Sequence, residues 1–379
     1  MPISIPYTFT AGTTILSAEM NSNFSTLANA APNKTATETV SGAWTFSTSP
    51  TMGAHLLFTD ATYDIGQSGA TRPRHGYFSG NLVVGGNVTA TSISGSLAVS
   101  MVCEGRLTLT SGTPVTTADV TAAGTLYFTP FRGNRLALYT GSLWTISTFT
   151  ERSLSLSLTS GKNYDIFIYD NSGTITLESV EWTNDTTRAT ALASQDGVLV
   201  KKGSLTKRYI GSIRASASNQ TEDSAAKRFV WNYYNRVPTQ MVVLEATDTW
   251  TYTTASFQQA RASTANQLAL VCGVAEDSIA ATVRALTQNN GSNVTATVAI
   301  GYDSTTTAAT GCIMQSTQIT TGIPNIAFPC SASLIHNPAA GYHFYAWLEK
   351  STAAGTTTWW GDNGAATVTQ TGISGLWSR

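Results

Sequence analysis

Charged side chains are scarce in this sequence. Asp, Glu, Lys and Arg make up 11% of its 379 residues, against about 25% in a typical soluble domain. Ser, Thr, Asn and Gly take their place, a composition common in extracellular and virion β proteins, whose turns and edge strands need small polar residues. The formal net charge of −1 argues against nucleic acid as a partner of the whole chain, because phosphate binding requires an excess of basic residues.

Cysteine clusters and long apolar runs are also missing from the sequence. Cys103, Cys272, Cys312 and Cys330 are widely separated, whereas disulfide scaffolds are denser and zinc sites more clustered, so we expect reduced thiols. No apolar run approaches the roughly 20 residues of a membrane span. The opening MPISIPYTFT lacks the basic and apolar regions of a signal peptide. We therefore expect synthesis in the cytoplasm without membrane insertion.

Motifs that hold metals or cofactors are absent from the sequence. The histidines stand singly, without the HExxH spacing of a zinc site, at His55, His75, His336 and His343. The glycines of GQSGATRPRHG match neither the phosphate-binding loop nor the dinucleotide fingerprint. We predict no metal, no cofactor and no catalytic residue.

Carboxylate pairs could still support cleavage of a polysaccharide, because glycoside hydrolysis uses two carboxylates about 5–10 Å apart. Glu178 with Glu181, or Glu245 with Asp248, could form such a pair. Their spacing does not distinguish them from solvated carboxylates on strands, and no repeating rung of a parallel β-helix is visible. We predict that the protein is not an enzyme.

A short amphipathic helix is predicted near the N-terminus. Ser17 is a candidate N-cap, and Pro32 ends the pattern. An isolated helix of this length is marginal in water, so we expect its apolar stripe to dock on another protein or on a copy of itself. The stripe consists of Leu16, Met20, Phe24 and Leu27.

The segment 41–100 contains short apolar pieces separated by Gly and Pro, as in TDATYDIGQSGATRPRHGYFSGNLVVGGNVTA. No piece is long enough to bury itself in a globular domain. Three parallel copies wound together would share one core, as obligate interfaces do. The segment therefore predicts an elongated connector in a homotrimer.

Two β domains are predicted after the connector. Residues 101–238 contain alternating strands with turns at Gly133-Asn134, Asn171-Ser172-Gly173 and Asp196-Gly197, which favours a β-sandwich. We predict that this domain ends with a packed helix at 222–236, capped by Thr221. Residues 239–379 predict a second sandwich, of jelly-roll type or similar.

Two groups of residues are candidate contacts with partners. Aromatic rings with polar neighbours suit a sugar platform, although strands apolar on both faces are more often buried between sheets or subunits. The candidates for glycan contact are Tyr345, Trp347, Trp359 and Trp360.

The segment 201–236 has eight basic and two acidic residues, which could attract an anionic polymer or virion partner. A solvated strand face with ion pairs between subunits is the alternative. The candidates for contact with an anionic partner are Lys201, Lys202, Lys207 and Arg208.

Three stretches resemble modules of tailed-bacteriophage virion proteins of the tail-fibre or head-fibre type. YTFTAGTTILSAEMNSNFSTLANA resembles an N-terminal anchoring segment, and TYDIGQSGATRPRHGYFSGNLVVGG resembles a connector in which DIG, RP and VGG recur in that order. The region from GRLTLTSGTPVTTADV to KRFVWNYYNRVP is similar to a recurrent phage β module. Residues 239–379 resemble no family that we can name.

The resemblance implies a virion protein made in the host cytoplasm and displayed on the tail or head. A familiar base with an unfamiliar tip suits a trimeric tail fibre or spike that binds host polysaccharide by multivalent adhesion. In this interpretation residues 1–40 bind other virion proteins, 41–100 connect, and 239–379 form the host-binding head. The alternatives are a capsid decoration protein or head fibre, and a polysaccharide-degrading tailspike.

Overall fold

A computed structural model describes residues 6–8, 10–14, 16–30, 100–319, 326–367 and 369–379. The chain divides into two compact units, Met1–Asn87 and Val88–Arg379. The protein is mainly β, with one short N-terminal helix and several antiparallel sheets in its described residues. Apart from Ser100, the predicted trimeric connector at 41–100 lies outside the described residues.

The predicted N-terminal helix is present as α1, Ser17–Ala30. The Leu16 backbone N–H donates to Glu19 Oε2 (3.4 Å), as the N-cap residue of a capping box does. Leu16 therefore occupies the N-cap position that the sequence suggested for Ser17. The Asn23 amide exchanges two hydrogen bonds with the backbone of Tyr7 (3.1 and 3.0 Å). These bonds hold the preceding segment on the helix.

The first strands of the second unit lie between residues 105 and 232. They are β1 (Gly105–Thr108), β2 (Val120–Ala123), β3 (Thr125–Pro130), β4 (Arg135–Tyr139), β5 (Trp144–Thr148), β6 (Arg152–Ser155), β7 (Asn163–Asn171), β8 (Thr174–Glu181), β9 (Leu192–Gln195), β10 (Val198–Lys201), β11 (Ser204–Ala217), β12 (Gln220–Asp223), β13 (Lys227–Arg228) and β14 (Val230–Asn232).

The later strands begin at residue 238 and continue to the last residues of the chain. They are β15 (Pro238–Leu244), β16 (Thr249–Thr251), β17 (Gln258–Gln259), β18 (Gln267–Cys272), β19 (Ile279–Asn289), β20 (Val294–Tyr302), β21 (Ile313–Gln315), β22 (Thr317–Ile319), β23 (Phe328–His336), β24 (Gly341–Ser351), β25 (Thr357–Trp360) and β26 (Gly372–Ser378). A 3-10 turn lies at Ala260–Ala262.

Two of the predicted hairpin turns have the backbone that their sequences require. Ser172 and Gly173 both have positive φ (53° and 90°) between β7 and β8, and Asp196 and Gly197 do so (51° and 82°) between β9 and β10. Two-residue hairpins with positive φ at both positions twist in the same sense as their strands. The structure therefore has turns at both of these predicted positions.

The predicted helix at 222–236 is wrong, because this segment forms β12, β13 and β14. A tight turn with Ser224 and Lys227 hydrogen-bonded to each other (2.8 and 3.2 Å) replaces the first helical turn. Val230, Trp231 and Asn232 are all buried, so both faces of β14 are covered. An amphipathic helix needs one solvated face, and tertiary burial of an aromatic-rich segment favours strands instead.

The predicted division at residue 238 does not separate two sheets. β13 pairs in parallel with β18, so one 14-stranded sheet contains strands from both sides of that residue. Arg188 donates to the Gly273 carbonyl (2.5 Å), and the Arg214 guanidinium lies 3.5 Å from the centre of the Tyr342 ring. Residues 101–238 and 239–379 therefore belong to one compact unit with shared packing.

A second sheet has seven strands, with β15, β26, β19, β23 and β21 in that order along its main path. Its inner face packs on the strands β18, β20 and β24 of the large sheet through a core that includes Leu268, Ile300, Trp347 and Trp377. The layers bury the even-numbered side chains of β23 and the odd-numbered ones of β19. This layering positions the cleft described below.

Candidate functional site

Three of the four predicted glycan contacts lie in the protein core. Tyr345, Trp347 and Trp359 have no exposed surface, so none of them can meet a glycan from solution, and the burial alternative is the one that the structure shows. β24 lies between β18 and β20 and is covered on both faces by hydrophobic clusters. Trp360 alone is half-buried.

The predicted basic contacts are mostly engaged within the protein. Lys201 and Lys207 bind the two carboxylate oxygens of Glu178 at 3.0 and 2.9 Å. Arg208 is fully buried and donates to three backbone carbonyls, so it cannot contact an external anion. Lys202 is exposed and makes no ion pair among the described residues.

The apolar stripe on α1 is open to solvent. Leu16, Met20 and Phe24 are 59%, 41% and 63% exposed. Leu27 belongs to the helix, but its side chain lies outside the described residues. Virion attachment through these residues stays a prediction.

A surface cleft of about 480 Å³ lies where β20 and β23 end. We call it the Tyr302 cleft. Its lining combines a phenol ring, an imidazole, three hydroxyls and two methyl groups, which come from Tyr302, His336, Ser304, Thr307, Thr310, Ala308 and Ala309. Its volume falls within the range of about 300–1,000 Å³ that is usual for small-ligand sites.

The sequence GYDS at 301–304 shapes one wall of the cleft. A Cβ atom at Gly301 would lie 2.1 Å from the Ser304 carbonyl oxygen, so only glycine lets the loop turn back this closely. Asp303 has a positive φ of 49°, which Asp tolerates better than most residues. The Ser304 hydroxyl then accepts the Thr307 backbone N–H (3.0 Å). These local contacts fold the loop that carries the hydroxyl side chains.

A buried histidine, His343, packs against Tyr302 and is hydrogen-bonded to it. His343 is 2% exposed, and its Nε2 donates to the Ala339 carbonyl (3.0 Å). Its Nδ1 lies 2.8 Å from the Tyr302 hydroxyl and 2.7 Å from Asp303 Oδ2. The two rings stack with centroids 5.0 Å apart. Tyr302 is therefore fixed in orientation before any ligand binds.

His336 lies against the Tyr302 ring and is held in a similarly fixed position. Its Nδ1 is 2.9 Å from the hydroxyl of buried Tyr345, and its ring lies 4.2 Å from that of Tyr302. Burial lowers the pKa of His336, and the neighbouring His343 lowers it further, so His336 is neutral at pH 7. Burial, assisted by the Asp303 carboxylate, raises the pKa of Tyr302 to about 12, so its hydroxyl stays protonated.

The cleft can therefore bind an uncharged polar ligand with an apolar face. Its described lining contains no lysine or arginine, and the nearest carboxylate, Asp303, repels anions. A ring bordered by hydroxyl and imidazole groups suits the apolar face of a sugar with hydrogen-bonding groups at its edge.

The carboxylates considered for hydrolysis are placed elsewhere. Glu178 binds two lysines, whereas Glu181 accepts the hydroxyls of Tyr164 (2.5 Å) and Thr159 (3.0 Å). Glu245 accepts Arg261 Nε (2.9 Å) inside the second half of the unit. Asp248 accepts the backbone N–H of Gly364 (2.9 Å) at a surface turn. None of these four lines the Tyr302 cleft.

Sequence reasoning missed Tyr302, whereas His336 was noted only as an isolated histidine. The available signal was a glycine followed by an aromatic residue and an Asp-Ser pair at the end of an apolar run, which marks a tight turn after a strand. Nothing in that pattern brings His336 or His343 to the same place, because their meeting depends on how β20, β23 and β24 pack.

The described part of the chain has neither a metal-binding cluster nor a membrane-spanning helix. It contains no group of three or more His, Cys, Asp or Glu residues arranged to hold a metal ion. None of its helices is long and apolar enough to span a bilayer. All four cysteines are unpaired, and Cys312 alone is partly exposed.

No protein-family model matches the chain, and no curated protein sequence does. Similarity to solved structures is weak. The insecticidal delta-endotoxin Cry8Ea1 of Bacillus thuringiensis is 8% identical over 73% of this chain and 52% of its own, with a TM-score of 0.22. A Bacillus thuringiensis Cry1Da tryptic core variant is 10% identical over 68% of this chain and 48% of its own, with a TM-score of 0.16. BuGH86 in complex with neoagarooctaose is 10% identical over 61% of this chain and 33% of its own, with a TM-score of 0.13. The chain thus spans about half or less of each matched protein, and TM-scores this low assign no fold.

Proposed function

We propose that this chain is a structural protein of a tailed-bacteriophage particle that binds host surface polysaccharide through the Tyr302 cleft. Two observations of different kinds support the proposal. The stretches at the N-terminus, in the connector and before residue 238 resemble phage fibre modules. The cleft then lies beyond residue 238, in the part of the chain that the resemblance does not cover.

The observation that carries the sugar-binding part is the rigid placement of Tyr302 beside hydroxyl groups. Its ring is half-buried, stacked on His343 and hydrogen-bonded to it, so little conformational entropy is lost when a ligand covers the ring. The hydroxyls of Ser304, Thr307 and Thr310 border the same space. Because the lining lacks basic groups, the favoured ligands are neutral or N-acetylated sugars rather than acidic ones.

The proposal retains the elongated, homotrimeric architecture expected from the sequence. Residues 1–40, with exposed Leu16, Met20 and Phe24, attach the fibre to other virion proteins, and 41–100 connect. The β unit, with its sheets stacked as sandwiches, forms the host-binding end of the fibre. The fibre itself is displayed on the tail or on the head of the particle. Three clefts on one particle-bound trimer gain avidity through effective concentration. Binding without cleavage is proposed, because hydrolysis uses two carboxylates, whereas the cleft lining offers phenol, imidazole and hydroxyl groups.

The test measures binding of the purified full chain to immobilised neutral and acidic bacterial polysaccharides. We expect binding to neutral or N-acetylated polymers, and a loss of at least tenfold in Y302A, because the stacking surface is removed. Y302F keeps the ring and should retain most of the affinity. Y169A is the matched control, since Tyr169 is a half-buried tyrosine on β7 that lies outside the cleft.

Three outcomes would contradict the proposal. The first is that Y302A binds as tightly as the unaltered chain. The second is that the chain binds only capsid shells and no polysaccharide, which would indicate a decoration protein. The third is the release of reducing ends from a bound polysaccharide, which would indicate a degrading enzyme.

A further inference from the structure

We propose that a second copy of this chain packs on the outer face of the seven-stranded sheet. The face is formed by the outward side chains of β15, β26, β19, β23 and β21 and is called the outer face below. A contact between two copies of the same face is two-fold, so it joins chains in pairs and is distinct from the trimer proposed above. Its test does not use sugar binding, so either proposal can fail alone.

The strand register places the exposed apolar side chains together on this face. Leu376 of β26 is opposite Ala280 of β19, which is opposite Ile335 of β23. Two residues along, Ile313 of β21 is opposite Ser333 of β23. Because side chains alternate along a strand, these residues point away from the core residues of the same strands.

The outer face is apolar and exposed. Leu244, Ile313, Ile335 and Leu376 are 56%, 73%, 79% and 51% exposed. The side chains between them are small, namely Ala280, Thr282, Ser331, Ser333, Gly372 and Ser374. The exposed Arg284 of β19 is the one long charged side chain on this face, and the small residues around it would let another sheet approach to about 10 Å.

Charge on the outer face is almost absent. The five strands carry one formally charged side chain, Arg284. A strongly acidic or basic partner would find no complementary groups here, and desolvating its charges would cost free energy. An identical face, nearly uncharged and with the same alternation of large and small side chains, carries no such cost.

The size of the outer face also fits a subunit contact. Five strands about 4.8 Å apart and three or four outward rows about 6.8 Å apart cover roughly 500–650 Å² in projection. A stable interface buries about 800 Å² of accessible surface per partner, and the accessible area of a side-chain-covered face exceeds its projection.

The test uses the full chain with the partly exposed native thiol removed (C312S) and single cysteines added, and it measures the rate of maleimide labelling. In an isolated chain I335C should react faster than L205C, because Ile335 is 79% exposed and Leu205 is 40% exposed. If a second copy covers the outer face, I335C should react at least tenfold more slowly than L205C. A bis-maleimide should also join I335C chains into covalent dimers, and should not do so with L205C.

The added variant L376K identifies the cause of protection. A lysine at this exposed position should restore fast labelling of I335C and abolish the covalent dimers, while the thermal unfolding temperature stays unchanged. Fast labelling of I335C in the unaltered background would overturn the proposal. Slow labelling without chain dimers would overturn it as well, because the chain itself would then cover the face.

Discussion

Replacement of Arg208 tests whether this residue of the basic segment stabilises the fold or serves as a surface contact for a partner. The guanidinium is fully buried, and its Nη1 donates to the carbonyls of Ser100 (2.8 Å), Val102 (3.1 Å) and Ala137 (2.8 Å). It also lies 4.5 Å from the centre of the Tyr234 ring. Arg208 therefore links the chain around residues 100–102 and strand β4 to β11.

The magnitude follows from what R208M leaves behind. Methionine fills much of the same volume but removes the Arg208 donor from all three carbonyls, of which Val102 keeps a second donor in the Ala137 backbone N–H (2.9 Å). Each hydrogen bond from a charged group contributes about 1.5–3 kcal/mol. The desolvation of the guanidinium, which the mutation removes, offsets part of this loss. We expect the free energy of unfolding to fall by about 3–5 kcal/mol, with a lower melting temperature by roughly 10 °C.

The measurement is urea unfolding followed by tryptophan fluorescence, with K202M as the matched control. Lys202 lies six residues away and is exposed, so K202M should change stability by less than about 0.5 kcal/mol. R208K should fall between R208M and the unaltered chain, because one ammonium cannot bridge three carbonyls in the same geometry. If the R208M chain were as stable as the K202M chain, Arg208 would not be a structural element and the reasoning would be refuted.

Two further predictions concern single positions in the second half of the β unit. Burial raises the pKa of Glu349 from 4.5 to about 7, so the folded chain holds a proton that the unfolded chain releases, and stability should fall by roughly 3 kcal/mol as pH rises from 4.5 through 7. E349Q should flatten this dependence in denaturant titrations at several pH values; an unchanged slope would contradict it. G301A should cost more than about 2 kcal/mol and abolish sugar binding, because its Cβ would meet the Ser304 carbonyl at 2.1 Å. G124A, whose Cβ would have no neighbour closer than 3.8 Å, should behave like the unaltered chain in the same melting and binding assays, and equal effects of the two alanines would contradict the steric argument.

The β hairpins could be predicted because their determinants are local. Asp196-Gly197 and Ser172-Gly173 need positive φ at both positions, and the flanking strands alternate with period two. The core of β19 follows the same rule, with buried and partly exposed residues alternating along its length. Such patterns specify a strand without reference to any distant part of the chain.

The segment 222–236 could not be assigned from the same local rules. Thr221, Glu222 and Asp223 resemble the start of a helix, but the structure buries all three. The Asp223 carboxylate binds Arg228 (3.2 Å) and Arg379, which lies 156 residues along the chain. A capping motif assumes that its charges are solvated, and only the tertiary structure shows that they are not.

The Tyr302 cleft shows the same limit for a site. The turn that carries Tyr302 follows from GYDS, whereas His336 and His343 reach it from two other strands. For the C-terminal aromatic residues the sequence suggested a site where the structure has a core. The alternation of residues along β24 could not distinguish a solvated face from one covered by another layer. Distinguishing them requires the number of layers, which a single strand does not specify.

Part of the scarce charge of this chain lies inside the protein. Among the described residues nine charged side chains are buried, and several join segments that are distant in sequence; they are Arg106, Asp165, Arg208, Glu222, Asp223, Arg228, Glu245, Glu349 and Arg379. Buried ions must be paired or hydrogen-bonded. The pair Asp223–Arg379 and the hydrogen bond from Arg228 to the Gln240 carbonyl (2.6 Å) join the two halves of the β unit. The surface that they leave is polar but weakly charged, which suits contact with neutral sugars and with another copy of the same face. If the buried ions instead served binding, their replacement would reduce affinity without changing stability, and the Arg208 series separates these two effects.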